Sequence, residues 1–181
     1  MMKQTRIPSD TLNRIALLAG LAFLLSAVEY TIPKPLPFIR LGLANFPILI
    51  ALTCFSPPQV LLLVVLKILG QGLIQGTLFS YTFLLSASGS FSSALVMIFL
   101  YRWGGKRISL IGVSIAGALV SNLIQIYLAG FLIAGAAVAL IGPPFLIIGL
   151  VSSVFLGILA QRFVQTSRWV KNVQHMDGTA E

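Results

Sequence analysis

Long apolar runs, separated by short polar or proline-containing segments, make up most of this chain. Six of the runs predict membrane-spanning helices, because a helix needs about 20 apolar residues to cross a bilayer core. We place them at residues 12–30, 42–55, 57–78, 81–101, 110–131 and 143–161, followed by a polar tail at 162–181. The pattern therefore predicts an all-α integral membrane protein, with residues 1–181 forming a single transmembrane bundle of six helices.

Capping signals mark where some of these helices begin. Asn45 is a plausible N-cap for the second span, and Ser56 with Gln59 has capping-box spacing before the third, where Pro57 fits the first helical position. The first span follows basic residues, as a signal peptide does. No convincing small-x-small cleavage site precedes Glu29 and five further spans follow, so we expect a retained helix.

The distribution of lysine and arginine orients the predicted bundle. With six helices, both termini and the loop at 102–107 lie on the same side of the membrane. That side carries most of the cations, namely Lys3, Arg6, Arg14, Arg102, Lys106, Arg107, Arg162, Arg168 and Lys171. The other side has Lys34 and Arg40. The positive-inside rule then predicts cytoplasmic ends and a multi-pass protein of the cell membrane.

Composition supports a membrane class and excludes others. Hydrophobic residues make up 57% of the 181 residues and charged ones 9%, against about 25% charged in soluble domains. The formal charge is +8, but the cations are spread among hydrophobic spans and form no basic face, so we expect no nucleic-acid partner. The single cysteine, Cys54, and the single histidine, His175, leave no disulfide framework and no thiol metal site.

Lys67 lies in the middle of the third apolar run. A lone cation there costs about 2.5–3.5 kcal/mol on insertion scales, so it needs a partner or a ligand. Gln71 and Gln75 follow at i+4 and i+8, which predicts a polar stripe on one helix face. The stripe either forms internal hydrogen bonds and an ion pair, for which Glu29 is the plausible acid, or it meets a ligand.

The fifth span carries a second pair of amides, Asn122 and Gln125, which face one direction at i and i+3. They either form hydrogen bonds between helices or line a midplane cavity across from the Lys67 stripe. The predicted ligand-binding residues are Glu29, Arg40, Asn45, Lys67, Gln71, Gln75, Asn122 and Gln125. We predict no cofactor, no metal ligand and no catalytic residue.

The segment at residues 31–37 alternates proline with other residues, which favours a stiff extended strip over a helix. It is flanked by Glu29 and Arg40. The strip either covers an outward-facing cavity, with these two residues at its mouth, or serves as a rigid connector in which the charges pair with each other or with headgroups.

Several catalytic activities are disfavoured by the sequence. The segment Gly104–Arg107 lacks the upstream glycine and the hydroxyl of a phosphate-binding loop, so the chain does not hydrolyse ATP alone. Allylic diphosphate chemistry uses clustered aspartates to hold Mg²⁺, whereas Asp10 and Asp177 are isolated in the two tails. We therefore expect no stand-alone enzyme.

A set of motifs along residues 15 to 160 resembles one known family. The motifs are Val28-Glu29, Ile32-Pro33-x-Pro35-x-Pro37, Arg40-Leu41-Gly42-Leu43-Ala44-Asn45, Gly76-Thr77-Leu78-Phe79-Ser80, Ser86-x-x-Gly89, Ile111-Gly112-Val113-Ser114-Ile115-Ala116-Gly117 and Asn122-x-x-Gln125. They resemble the Gx transporter family, whose members are also labelled heptaprenyl diphosphate synthase component I. Lys67 and Ser121 depart from its pattern, because arginine and histidine are expected there.

The resemblance implies a fold and a role. The family is similar to the substrate-binding S components of energy-coupling factor transporters, six-helix proteins that work with a coupling membrane subunit and ATPases. It implies a membrane subunit for binding and uptake of a small, anionic or amphiphilic solute from the outer side. The alternative is a non-transporting subunit of a flavin- or quinone-linked redox system, or of a polyprenyl (heptaprenyl) diphosphate synthase system.

Overall fold

The computed structural model describes residues 9–32, 42–105, 108–135 and 138–176, which are helical apart from short turns and contain no strand. The helices are α1 (Ser9–Thr31), α2 (Phe46–Cys54), α3 (Pro57–Ile74), α4 (Tyr81–Gly104), α5 (Leu110–Ala129), α6 (Val138–Thr166) and α7 (Arg168–Met176). A 3₁₀ turn at Leu43–Asn45 precedes α2, and a π-helical turn at Gly130–Ala134 continues α5. The all-α prediction is confirmed.

Apolar side chains cover the outside of the bundle and many polar ones lie inside it. Leu24 and Phe155 are 60% and 58% exposed, whereas Lys67 and Gln71 are each 4% exposed. Within the described ranges, five helices are long and apolar enough to cross a membrane: α1, α3, α4, α5 with its continuation, and most of α6. This arrangement suits a lipid solvent, so the chain is a multi-pass membrane protein.

The second predicted span is shorter than expected. The apolar segment Leu43–Cys54 has 12 residues and, even as a full α-helix, reaches only about 18 Å, less than the ~30 Å of a bilayer core. The residues from Pro47 to Leu52 are all buried, because α2 is apolar on every side and lies among the other helices. The six predicted spans therefore correspond to five helices of spanning length and one short internal helix.

One end of the bundle gathers α2, α4 and α7. Gln59 Oε1 accepts a 2.9 Å hydrogen bond from the backbone N–H of Ser56, which confirms the predicted cap at the start of α3. Beside this turn, Arg102 Nη2 donates to the Phe55 carbonyl at 3.2 Å. Gln174 Nε2 donates to the Thr53 carbonyl at 3.1 Å, so α7 lies against the end of α2.

The predicted tail is helical over much of its length. Helix α6 continues to Thr166, and α7 packs its apolar side on the protein, with Val170 fully buried and Val173 2% exposed. Arg168 and Lys171 lie on the exposed side of α7. The segment therefore closes this end of the bundle.

Helix α3 ends four residues earlier than predicted. The Thr77 N–H donates to the Gly72 carbonyl at 3.0 Å and the Gly76 N–H donates to the Leu73 carbonyl at 3.1 Å. Gly76 has a φ of 62°, so these bonds form a Schellman motif with glycine in the left-handed position. Gln75 is consequently the C-cap of α3 and not a third member of the polar stripe.

Candidate functional site

A polar cavity of about 40 Å³ lies inside the bundle, between α1, the 3₁₀ turn, α3, α4, α5 and α6. Its polar lining consists of Glu29, Asn45, Lys67, Gln71, Ser90, Ser93, Ser114, Ser121, Asn122, Gln125 and Ser153. Gly42, Ala44, Met97, Ala118, Gly149 and Leu156 complete the wall. Most of the residues that line this space within an apolar bundle therefore carry hydroxyl, amide or charged groups.

Lys67 projects from the middle of α3 into this cavity and is 4% exposed. Its Nζ donates to Asn45 Oδ1 at 2.9 Å and to Ser90 Oγ at 2.9 Å. Asn45 was predicted to cap α2 but makes no side-chain capping hydrogen bond. It instead gives the buried ammonium an acceptor, which lowers the cost of burying that charge.

Glu29, near the end of α1, is the second charged residue of the described lining. Its Oε2 accepts a hydrogen bond from the Leu43 N–H at 2.9 Å, and its Oε1 accepts one from the Gly42 N–H at 3.3 Å. Gly42 has a φ of 75°, which glycine adopts without steric cost. The buried carboxylate therefore fixes the backbone that leads into α2.

The amide pair on α5 also reaches the cavity. Gln125 Nε2 donates to Ser121 Oγ at 2.8 Å, and Asn122 is 6% exposed. Two glycines leave room for these side chains: a Cβ at Gly89 would lie 2.7 Å from Gln125 Nε2, and one at Gly149 would overlap Asn122 Nδ2. Both amides are therefore packed against the backbone of a neighbouring helix.

Three buried polar atoms of the lining have no hydrogen-bond partner among the described residues: Gln71 Oε1, Ser93 Oγ and Asn122 Nδ2. Their side chains are 4%, 1% and 6% exposed. Leaving such a group unsatisfied costs about 1–3 kcal/mol, so three around one space indicate that water or a solute supplies the missing partners.

The structure brings most of the predicted site residues together. Glu29, Asn45, Lys67, Gln71, Asn122 and Gln125 all line the cavity. Gln75 does not line it, because α3 ends before that residue. Arg40 and residues 33–37 of the proline strip lie outside the described residues. Ligand binding by the assembled residues stays a prediction.

The predicted set of ligand-binding residues contains no serine, although five serines line the cavity. Ser90 and Ser93 lie on one face of α4, and Ser153 comes from α6. Ser114 Oγ donates to the Ser153 carbonyl at 2.8 Å and so joins α5 to α6. The i, i+3 spacing of the two α4 serines within an apolar span was the available signal, because polar groups on a spanning helix face the interior.

Comparison with known proteins covers the complete set of polar residues that line the cavity. The profile of the family described as heptaprenyl diphosphate synthase component I matches residues 18–163. Searches of curated proteins and of solved structures found no match. The matched range includes every polar residue of the cavity lining. In the part of the chain that the structure describes, no three His, Cys, Asp or Glu side chains are grouped so as to hold a metal ion.

Proposed function

The chain belongs to the heptaprenyl diphosphate synthase component I family, and we propose that it is a membrane subunit that binds a small polar solute for uptake from the outer side. The observation that carries this proposal is the internal cavity with three unpartnered polar atoms. The resemblance to S components of energy-coupling factor transporters supports the same role.

The energetics of the cavity favour binding over a purely structural role. In a purely structural bundle within lipid, interior polar side chains form hydrogen bonds to one another across helices. Hydrogen bonds to Asn45 and Ser90 offset part of the cost of burying the Lys67 ammonium. In contrast, Gln71 Oε1, Ser93 Oγ and Asn122 Nδ2 have no hydrogen-bond partner in the described residues. A bound solute would supply one to each of them.

The direction of access follows from the charge distribution. Exposed cations occur at or near the end formed by α7, the end of α6 and the end of α4, where Arg102, Arg162 and Lys171 lie. The positive-inside rule makes that end cytoplasmic. Glu29 lies near the opposite end of α1, so we propose that the cavity is entered from the outer face of the cell membrane.

The proposal assigns no catalysis to the isolated chain. Glu29 is the sole carboxylate among the described lining residues, which offers little to a magnesium diphosphate. Because the sequence lacks a phosphate-binding loop, energy for transport would come from partners, namely a coupling transmembrane subunit with ATPases.

Mass spectrometry of the purified protein tests this function directly. The chain is purified in lipid nanodiscs, denatured, and searched for small molecules that are retained in stoichiometric amounts. Retention by the wild type, lost in Lys67→Met and preserved in Lys171→Met, supports the proposal, because Lys171 is exposed on α7. Turnover of isoprenyl diphosphates by the isolated chain would instead establish an enzyme, and equal retention by both variants would remove Lys67 from the site.

A further inference from the structure

We propose that the cavity recognises an uncharged amide or ureide group and discriminates against anions. The inference rests on the proposed function and defines the chemical class of its ligand. It replaces the anionic ligand expected from Lys67 alone, since the structure places a carboxylate in the same lining.

The charge balance of the cavity disfavours an anion. Lys67 and Glu29 both line it, so the formal charges of the described lining side chains cancel. The ammonium already donates to Asn45 and Ser90 at 2.9 Å. An anionic group, such as a carboxylate, phosphate or diphosphate, would meet both the hydrogen-bonded ammonium of Lys67 and the buried carboxylate of Glu29. At low dielectric, its repulsion by the Glu29 carboxylate is strong.

The unpartnered atoms define what the ligand must present. Gln71 Oε1 needs a donor, Asn122 Nδ2 needs an acceptor, and the Ser93 hydroxyl takes either. An amide or ureide offers a carbonyl oxygen and an N–H side by side, so it satisfies both kinds of group. The same pairing results when both side-chain amides are turned over together, because the donor and the acceptor then exchange places.

The size of the space agrees with a group of this kind. The cavity has a volume of about 40 Å³. This space exceeds the roughly 10–15 Å³ that a single water needs, so it has room for a group of several non-hydrogen atoms. An amide head group with its attached carbon has a similar number of non-hydrogen atoms.

The test compares acetamide with acetate, which have nearly the same shape and differ in charge and in hydrogen-bond donors. Binding to the protein in nanodiscs at pH 7 is measured by saturation-transfer NMR, which suits the millimolar affinity expected of four-atom ligands. Acetamide should give a saturating signal and acetate one at least about fivefold weaker at equal concentration.

Variants of the unpartnered groups locate the binding. Asn122→Leu and Gln71→Met keep the approximate side-chain volume and should each weaken acetamide binding about tenfold, as expected for loss of a buried hydrogen bond. Gln161→Met and Ser26→Ala are matched controls. Gln161 Oε1 and Ser26 Oγ are likewise buried without a partner among the described residues, but neither residue lines the cavity. Both controls should bind acetamide like the wild type.

Each outcome decides the inference. The inference is overturned if acetate binds as strongly as acetamide. It is also overturned if the control variants lose binding to the same extent as the cavity variants. The inference is also overturned if neither probe binds. A retained carboxylate or phosphate compound that depends on Lys67 would leave the proposed function standing while this inference fails.

Discussion

Lys67 Nζ donates a 2.9 Å hydrogen bond to Asn45 Oδ1, a residue 22 positions earlier in the chain. The contact joins the middle of α3 to the start of α2, and the same ammonium donates to Ser90 on α4. One side chain therefore lines the cavity and also links three elements of its wall. Any substitution of Lys67 acts on both roles.

Lys67→Met should reduce solute retention and also destabilise the fold. It leaves Asn45 Oδ1 and Ser90 Oγ without this donor, and hydrogen bonds to charged groups contribute about 1.5–3 kcal/mol each. We expect a loss of about 1–3 kcal/mol in the free energy of unfolding, measured by denaturant titration in detergent micelles, because methionine avoids part of the cost of burying a charge. Lys67→Arg is the control that keeps the charge. If this variant folds and retains the solute, the effect of Lys67→Met is due to the loss of the charge. An unchanged unfolding free energy in Lys67→Met would contradict the structural role.

Glu29→Gln should weaken the hydrogen bonds that hold the segment leading into α2. A glutamine keeps one oxygen acceptor for the Gly42 and Leu43 N–H groups but loses the charge that strengthens both bonds. We expect destabilisation by about 1–3 kcal/mol and faster hydrogen exchange at these amides, measured by mass spectrometry. Asp10→Asn is the control, because Asp10 is exposed in the first turn of α1. Equal exchange rates in the two variants would disprove the role of Glu29.

Gly149→Ala should impair the site by displacing Asn122. The added Cβ would overlap Asn122 Nδ2 and so displace the amide that we assign to ligand recognition. We expect acetamide binding to weaken about tenfold, comparable to direct loss of the Asn122 hydrogen bond. Gly142→Ala on the same helix is the control, since its Cβ would meet only Ile126 atoms at 3.8 Å. Similar binding by both variants would show that Asn122 needs no room at Gly149.

Gly70→Ala should weaken the packing of α3 on α1. Its Cβ would overlap the ring of Phe23, and overpacking in a close-packed interior costs about 1–3 kcal/mol. Gly20→Ala on α1 adds the same methyl group where no atom lies within 4 Å. Thermal unfolding in nanodiscs should therefore occur at a lower temperature in Gly70→Ala and remain unchanged or rise in Gly20→Ala. The reverse order would contradict the α1–α3 packing.

Cysteine labelling tests the orientation. Cys54 is 1% exposed, so the native thiol should react little with a membrane-impermeant maleimide. Tyr30→Cys, at a position 60% exposed near the end of α1, should be labelled in intact cells. Lys171→Cys on α7 should be labelled only after lysis. Labelling of Lys171→Cys in intact cells would reverse the proposed topology.

Much of the site could be predicted from the sequence because polar side chains on apolar membrane helices face the protein interior. Lys67 and Gln71 are one helical turn apart and both line the cavity, as do Asn122 and Gln125. Helical periodicity and the cost of polarity in lipid were sufficient for these two pairs. The pairs lie on different helices, and their common cavity depends on packing that no local pattern specifies.

The errors have identifiable causes. Gln75 was assigned to the stripe by extending helical periodicity past the point where Gly76 ends α3, and a glycine at that position was a possible stop signal. The second span was predicted to cross because its composition is apolar, but composition does not distinguish a short helix enclosed by protein from one in contact with lipid. Asn45 had the right residue type for a cap, yet the tertiary contact with Lys67 uses its side-chain oxygen.

The short length of α2 has a consequence for the route of a solute. Asn45 at its beginning lines the cavity, while Thr53 and Phe55 at its far end hold Gln174 and Arg102. The apolar helix α2, about 13 Å long at 1.5 Å per residue over nine residues, thus separates the cavity from the basic end. Passage of a solute from the cavity to that end would require α2 to be displaced, and with it the hydrogen bonds from Arg102 and Gln174 to be broken.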